Sequence, residues 1–214
     1  MAAENGHLSV CQMIIERLHN GNRNPTRLNG VTPYHLAAKN GFSKICHLIH
    51  KYLDKSCDYA INPPDDHNYT PFHYAAAHGH LSICKFFIDT LSNQNPKCDF
   101  DSTPLHLAAA KGHFEVCKMI IENVDKKDLK TFHRFTPLHV AALMGHLEIY
   151  ELILSNIEEK SPIDINGNTP LDFSKVPYKQ ERFQIFFFFM FHPLKFFSCS
   201  HKKIQPSSFI NLAR

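Results

Sequence analysis

The sequence carries little charge and almost no excess of either sign. Charged residues make up 20% of its 214 residues, and the formal net charge is +3. Proteins that bind a phosphate backbone carry a clustered basic excess, so we expect no nucleic-acid partner. The apolar fraction of 43% is too high for a wholly disordered chain and predicts a folded one.

Targeting and membrane signals are also lacking. Residues 1–10 have neither the basic start nor the apolar run of a secretory signal, so we expect a reducing compartment, the cytoplasm, with the nucleus as the alternative. The longest purely apolar run, Ile185–Phe191, is shorter than the ~20 residues of a membrane helix, and no membrane span is predicted. The seven cysteines are odd in number and should stay as thiols.

No signature of catalysis is present. A Gly-rich phosphate loop, a His-Glu-x-x-His motif, a Gly-x-Ser-x-Gly elbow and Cys-x-x-Cys pairs are all missing, so we predict no enzyme activity and no cofactor. The one local cluster that resembles a metal site is Cys46, His47 and His50. We expect His47 to face solvent and His50 to lie in an apolar stripe, so that they point in different directions and bind no metal.

What the sequence does contain is an internal repeat. The motif Thr-Pro, an aromatic residue or Leu, and then His begins at Thr32, Thr70, Thr103 and Thr136, with a Thr-Pro-Leu-Asp variant at Thr169. The intervals are 38, 33, 33 and 33 residues, a period typical of stacked repeat units. Thr as a helix cap and Pro as the first helical residue predict a short inner helix after each motif.

A second, outer helix is predicted after the Gly that follows each inner helix. Its apolar residues recur at helical spacing, as in the first two units: Val10, Met13, Ile14 and Leu18, then Ile45, Leu48, Ile49 and Leu53. Four cysteines occupy one equivalent position and are predicted to be core residues: Cys11, Cys46, Cys84 and Cys117. A single helix pair cannot bury its own apolar stripe, so the units must stack.

The elements Thr-Pro-Leu-His, Ala-Ala, Gly-His and Cys-Lys-Met-Ile-Ile resemble the ankyrin repeat family over about residues 2–177. The resemblance implies an all-α repeat solenoid of helix-turn-helix units with hairpin fingers. It also implies that the motif histidines order hydrogen bonds around the Thr-Pro turn: His35, His73, His106 and His139. In this family the concave face, built from finger tips and the ends of inner helices, usually binds a protein.

The repeat spacing predicts the domain boundaries. An ankyrin array spans 1–177, with a partial first repeat at 1–21, repeats near 22–58, 59–92, 93–127 and 128–160, and a truncated last repeat at 161–177. The remainder, 178–214, is a Phe-rich segment outside the repeat, which we predict to be disordered or poorly packed. Translated non-coding sequence and a hydrophobic cap over the last repeat are the two explanations left open.

Two departures from the period carry expectations of their own. The first interval holds five extra residues between Tyr52 and Asn68, which predicts a protruding loop. Arg134 occupies a finger position that is Gly, Asn or Asp in the other units, the residue types that tolerate a left-handed backbone. We therefore expect that finger to be distorted or more mobile.

We predict a monomeric, non-catalytic scaffold or adaptor that binds a protein partner across the concave face. The alternative is a regulatory ankyrin segment of a larger enzyme or ion channel, of which this chain is a fragment. The candidate contact residues are those expected to be exposed on that face: His67, Tyr69, His78, Phe100, Lys111, Phe132, Phe135, Leu143 and Met144.

Overall fold

The computed structural model describes residues 1–17, 26, 28–53 and 58–174. The predictions for Leu18 and for the segment 178–214 lie outside these residues. Every regular element within them is helical, and no helix there is long and apolar enough to cross a membrane.

Each described helix has ten residues or fewer. In chain order the helices are α1 (Leu8–Arg17), α2 (Pro33–Lys39), α3 (Ser43–Tyr52), α4 (Asp58–Ile61), α5 (Pro71–Ala77), α6 (Leu81–Thr90), α7 (Pro104–Lys111), α8 (Phe114–Asn123), α9 (Pro137–Met144), α10 (Leu147–Ser155) and α11 (Pro170–Ser174). A short 3-10 turn, Leu28–Gly30, precedes α2.

The helices stack in two layers. The inner layer runs α2, α5, α7, α9, α11 and the outer layer α1, α3, α6, α8, α10, with each helix in contact with the next of its own layer. From α2 to α10, each inner helix also packs on the outer helix that follows it in sequence. This arrangement confirms the predicted all-α repeat solenoid, in which neighbouring units supply one another's core.

The predicted core cysteines lie between these layers. Cys46, Cys84 and Cys117 are fully buried, and Cys11 is nearly so, which confirms the core prediction. Burial disfavours the thiolate and raises the pKa of Cys46 and of Cys117 to about 12. These thiols therefore pack as small apolar side chains, because the reactive thiolate is suppressed.

The apolar stripe of the first outer helix is an exception, and its predicted burial is wrong. Val10, Met13 and Ile14 are 44%, 51% and 49% exposed. In later units the preceding unit covers the equivalent positions. The ring of Phe87, which is equivalent to Ile14, lies 5.4 Å from the ring of Tyr34 in the inner helix of the preceding unit. Among the described helices, α1 packs on α3 of the next unit, and none of the others covers the face that carries Val10, Met13 and Ile14.

The longest connector packs on the array over its described part, so the predicted protrusion is wrong for residues 58–62. Ile61 and Asn62 are buried, and the Asn62 side-chain oxygen accepts the Phe72 N–H at 3.1 Å. The Asp58 carboxylate accepts the backbone N–H groups of Ser92 and Asn93 at 3.0 and 2.6 Å. The insertion thereby braces the loop of the next unit.

His47 is exposed, as predicted, and His50 is half-buried, but the expectation that they point in different directions is wrong. Their ring centroids lie 4.4 and 4.8 Å from the Phe86 ring, so both side chains pack on the same neighbour in the next unit. In the part of the chain that the structure describes, no group of three or more His, Cys, Asp or Glu residues could hold a metal ion.

Candidate partner-binding surface

Each Thr-Pro motif forms a hydrogen-bonded link between one unit and the next, here called the histidine seam. In the first unit of the seam, His35 Nδ1 accepts the Thr32 N–H at 3.0 Å, and His35 Nε2–H donates to the Tyr69 carbonyl at 2.9 Å. His73, His106 and His139 repeat both bonds, each onto the carbonyl before the next motif Thr. The structural role implied for these histidines is confirmed.

The seam requires neutral imidazoles, because one ring nitrogen accepts a backbone N–H while the other donates. Burial lowers the pKa of His73, His106 and His139 to about 4, although the hydrogen bond from each ring to a carbonyl opposes the effect. The last motif ends the seam: Asp172 replaces His and accepts the Thr169 N–H at 2.9 Å.

The fingers project from the seam and are joined by backbone hydrogen bonds. The same bond recurs between each finger and the finger before it. The donor is the N–H of the residue four positions before a motif Thr. The acceptor is the carbonyl of the residue three positions before the motif Thr of the preceding unit. This bond joins Asp66 to Asn29, Asp99 to His67, Phe132 to Phe100 and Ile165 to His133 at 3.1, 3.2, 3.1 and 3.2 Å. The five fingers thus form one continuous rim.

The finger that carries Arg134 has the same shape as its neighbours, so the expected distortion is wrong. Its φ of 59° equals that of Asn68 and of Asp101. The Arg134 N–H donates to the Thr131 carbonyl at 2.8 Å, the bond that Asn68 makes to Asp65 at 3.0 Å. The turn and the inter-finger bonds impose the left-handed conformation, and Arg adopts it at a cost of roughly 1–2 kcal/mol.

The tips of these fingers form the first candidate surface, here called the fingertip row. It consists of Asn29, Asp66, His67, Asp99, Phe100, Phe132 and Ile165. Phe132 is 56% exposed and the His67 side chain 69%, whereas Phe100 is half-buried. The His67 ring lies 3.5 Å from the Asp99 carboxylate. Three of the predicted contact residues are therefore accessible on this row.

The ends of the inner helices form the second surface, here called the helix-end row: Asn40, His78, Lys111 and Met144. His78 and Lys111 are exposed and Met144 is half-buried. The His78 Nδ1–H donates to the Tyr74 carbonyl at 3.0 Å, which directs the ring along its own helix end. An inner helix of seven or eight residues, roughly 11 Å long, separates the helix-end row from the base of the fingers.

Three predicted contact residues do not belong to this surface. Phe135 and Leu143 are fully buried, so their predicted exposure is wrong. The Phe135 ring lies 4.9 Å from Phe173 of the following unit and stacks on His139 at 5.0 Å. Tyr69 is half-buried, and its ring packs edge-on to His73 at 5.7 Å, inside the array. The chain turns inward at the residue before each motif Thr, which places Tyr69 and Phe135 beneath the fingers, whereas Leu143 lies on a buried face of α9.

Two surface residues escaped the sequence reasoning. Ile163 and Ile165 on the last described finger are exposed, and Ile165 occupies the position equivalent to Phe132. Alignment of the last motif with the others could have found Ile165, because the finger positions keep their spacing to the Thr even though the unit is truncated. Ile165 and Phe132 extend the exposed apolar surface along the rim.

Comparison with known families agrees with this geometry. The family model for ankyrin repeats, in three copies, matches residues 1–98 and 88–169. The chain belongs to the ankyrin repeat family, whose members generally mediate protein–protein interaction and are typically non-enzymatic. No curated protein sequence matches the chain significantly.

Proposed function

We propose that this chain is a non-catalytic scaffold or adaptor whose fingertip and helix-end rows together bind a protein partner. The observation that carries the proposal is Phe132, a large apolar side chain 56% exposed at the tip of a finger. The backbone of that finger is bonded into the rim on both sides, through Phe132 to Phe100 and through His133 to Ile165. An exposed aromatic on a rigid support loses little conformational freedom on binding, as an interface anchor requires.

The test is a pair of truncations on the surface and a matched pair away from it. Phe132→Ala with Met144→Ala should weaken binding of a captured partner by about thirtyfold, the effect of losing roughly 2 kcal/mol at an interface. Lys118→Ala with Glu151→Ala, both on exposed faces of outer helices, should leave affinity unchanged. Affinity is measured by surface plasmon resonance, and circular dichroism checks that all variants fold alike.

Hydrogen exchange of the complex locates the contact independently of the substitutions. Amides of residues 65–68, 98–101 and 131–134 should gain protection on binding, because these segments form the finger tips. Protection confined to α3, α6 and α8 would place the partner on the outer layer and contradict the proposal. So would a loss of binding in the Lys118 and Glu151 variant that the Phe132 and Met144 variant does not show.

A cytoplasmic location and a monomeric state belong to the same proposal. Free, buried thiols at Cys46, Cys84 and Cys117 support a reducing compartment, since none of them is engaged in a disulfide. The alternative, a regulatory segment within a larger enzyme or channel, uses the same surface and differs in what else the polypeptide carries. Size-exclusion chromatography with light scattering measures the oligomeric state.

A further inference from the structure

Both rows change character at the same point along the array. In the units that begin at Thr70 and Thr103, the exposed tips are Asp66, His67 and Asp99, with Phe100 half-buried beside them, and the helix ends carry His78 and Lys111. In the units that begin at Thr136 and Thr169, the tips carry Phe132 and Ile165, and the helix end carries Met144. Two rows on opposite sides of the inner helices thus divide the surface into a charged half and an apolar half.

The finger side of the charged half already contains both signs of charge. Asp99 lies 3.5 Å from His67, and Asp101 forms an ion pair with Lys97 at 3.0 Å. The buried Asp65 carboxylate accepts the Tyr74 hydroxyl at 3.0 Å and two finger N–H groups at 2.9 Å. Most of the negative charge on this side therefore has a donor or a base beside it.

The helix-end side of the charged half is different, because the ionised side chains from Lys39 to Lys111 are basic. Lys39 directly precedes Asn40, the first residue of the helix-end row, and His78 and Lys111 follow along that row. Glu4, the residue equivalent to Lys39 in the first unit, is the acidic neighbour beyond them. Burial lowers the pKa of His78, the hydrogen bond to the Tyr74 carbonyl opposes this, and Lys39, His80 and His113 lower the pKa further. The charged groups whose field acts on His78 are thus all bases. Because Nδ1–H donates to the Tyr74 carbonyl, His78 takes up a proton at Nε2 when it pairs with a carboxylate, and an anion placed there would favour that protonation.

We infer that the partner segment is an acidic peptide with an apolar anchor: its carboxylates face Lys39, His78 and Lys111, and its anchor packs on Phe132, Met144 and Ile165. This inference rests on the proposed function. Apolar anchors supply most of an interface's affinity, whereas complementary charge sets which partner is accepted and in which register. Because the surface is divided into halves, the apolar anchor of the peptide supplies most of the affinity and its acidic part sets the register.

The repeat spacing also sets the spacing of groups in the peptide. Stacked helices are roughly 8–10 Å apart, and an extended peptide advances roughly 3.3–3.6 Å per residue. One unit of the array therefore corresponds to about three residues of peptide. Carboxylates about three, six and nine residues from the anchor would reach Lys111, His78 and Lys39 respectively.

The first experiment uses fluorescein-labelled ten-residue peptides and the full chain. Each peptide has one Phe anchor and Glu three, six and nine residues away, in both chain directions, and matched peptides replace Glu by Ser or by Lys. Fluorescence anisotropy at low salt should rank the Glu peptide about fivefold tighter than the Ser peptide, as one or two exposed ion pairs allow, and the Lys peptide weakest. Salt should reduce the difference. A Lys peptide that binds as tightly as the Glu peptide, or no binding below about 1 mM, overturns the inference.

The second experiment exchanges the charge on the protein. Lys39→Glu with Lys111→Glu should reverse the ranking, so that the Lys peptide binds tighter than the Glu peptide. Lys85→Glu with Lys118→Glu, on exposed faces of outer helices, makes the same change in net charge and should keep the original ranking. An unchanged ranking in the first variant, or an equal reversal in the second, contradicts a localised contact.

Further outcomes separate this inference from the function on which it rests. A labelled twelve-nucleotide oligo-dT that binds more tightly than the Glu peptide would indicate a nucleic-acid ligand and overturn it. A captured partner whose binding depends on Phe132 but is unchanged in the Lys39 and Lys111 variant would also overturn it while leaving the proposed function intact. Loss of partner binding both in the Phe132 and Met144 variant and in the Lys39 and Lys111 variant supports the proposed function and the acidic-peptide inference together.

Discussion

The histidine seam and the fingertip row run along the same units, yet they use sequence in opposite ways. Every unit of the seam repeats one residue pair, with the Thr N–H 3.0–3.2 Å from the His ring. Every finger repeats one backbone bond of 3.1–3.2 Å, while its tip residues change from Asp to Phe to Ile. Hydrogen bonds of side chains form the seam, whereas hydrogen bonds between backbone groups form the rim. The tips are therefore the positions at which the sequence can vary without loss of the fold.

Acid should break the seam before it affects the rim. The folded pKa of His73, His106 and His139 is about 4, and the unfolded value is about 6.5. The unfolded chain therefore binds protons first, and the stability from neutral rings, complete above about pH 6.5, is lost as the pH falls towards 4. At pH 5 the loss is roughly 2 kcal/mol for each ring, or about 6 kcal/mol for three.

Urea unfolding at pH 7 and pH 5 measures this loss. In a His106→Gln variant the difference between the two pH values should shrink by about 2 kcal/mol, because one of the strongly shifted groups is gone. The same pH dependence in the variant and the parent chain would show that the seam is not its source.

Two phenylalanines three residues apart on one finger sharpen the comparison. Phe135→Ala empties a fully buried site against His139 and Phe173 and should cost about 3–5 kcal/mol in the free energy of unfolding. Phe132→Ala removes a tip side chain and should change stability by less than about 0.5 kcal/mol. Thermal and urea unfolding of the two variants measures both values. Equal losses would mean that the tip is part of the core.

Two glycines with the same backbone conformation separate strain from contact between units. Gly112 and Gly167 have φ of 76° and 77°, but a Cβ on Gly112 would meet the His146 ring at 2.7 Å and one on Gly167 would meet nothing within 4 Å. Gly167→Ala should cost only the left-handed conformation, roughly 1–2 kcal/mol. Gly112→Ala should cost clearly more in the same unfolding assay, since the ring of the next unit must also move. Similar losses would show that His146 yields freely.

The smallest effect is expected at Arg134. Arg134→Gly relieves the left-handed strain of a non-glycine residue, and the greater freedom of Gly in the unfolded chain offsets part of the gain. We expect a net stabilisation of about 0.5 kcal/mol by urea unfolding. A destabilisation beyond about 1 kcal/mol would contradict this expectation, because it would show that the Arg134 side chain makes contacts that stabilise the rim.

The structural role of the seam histidines could be predicted from the sequence, whereas the exposure of the finger residues could not. The Thr-Pro-x-His motif, through its resemblance to the ankyrin repeat family, implied that each His orders hydrogen bonds around its own turn. The bond from each ring to the next unit became visible only in the structure. The sequence did not separate Phe132 from Phe135, since both are apolar residues in a short finger. Their exposure depends on Phe173, almost 40 residues further along the chain, which covers only Phe135.

The amino-acid sequence by itself determined the period, the helix pairs and the core cysteines, because caps, helical spacing and repetition are properties of neighbouring residues. Only the tertiary structure decided which apolar residues are exposed. Val10, Met13 and Ile14 have the same pattern as the buried stripes of later units and remain exposed, since burial requires a neighbour that packs on that face. The division of the surface into a charged half and an apolar half likewise arises when stacking brings equivalent positions of successive units side by side.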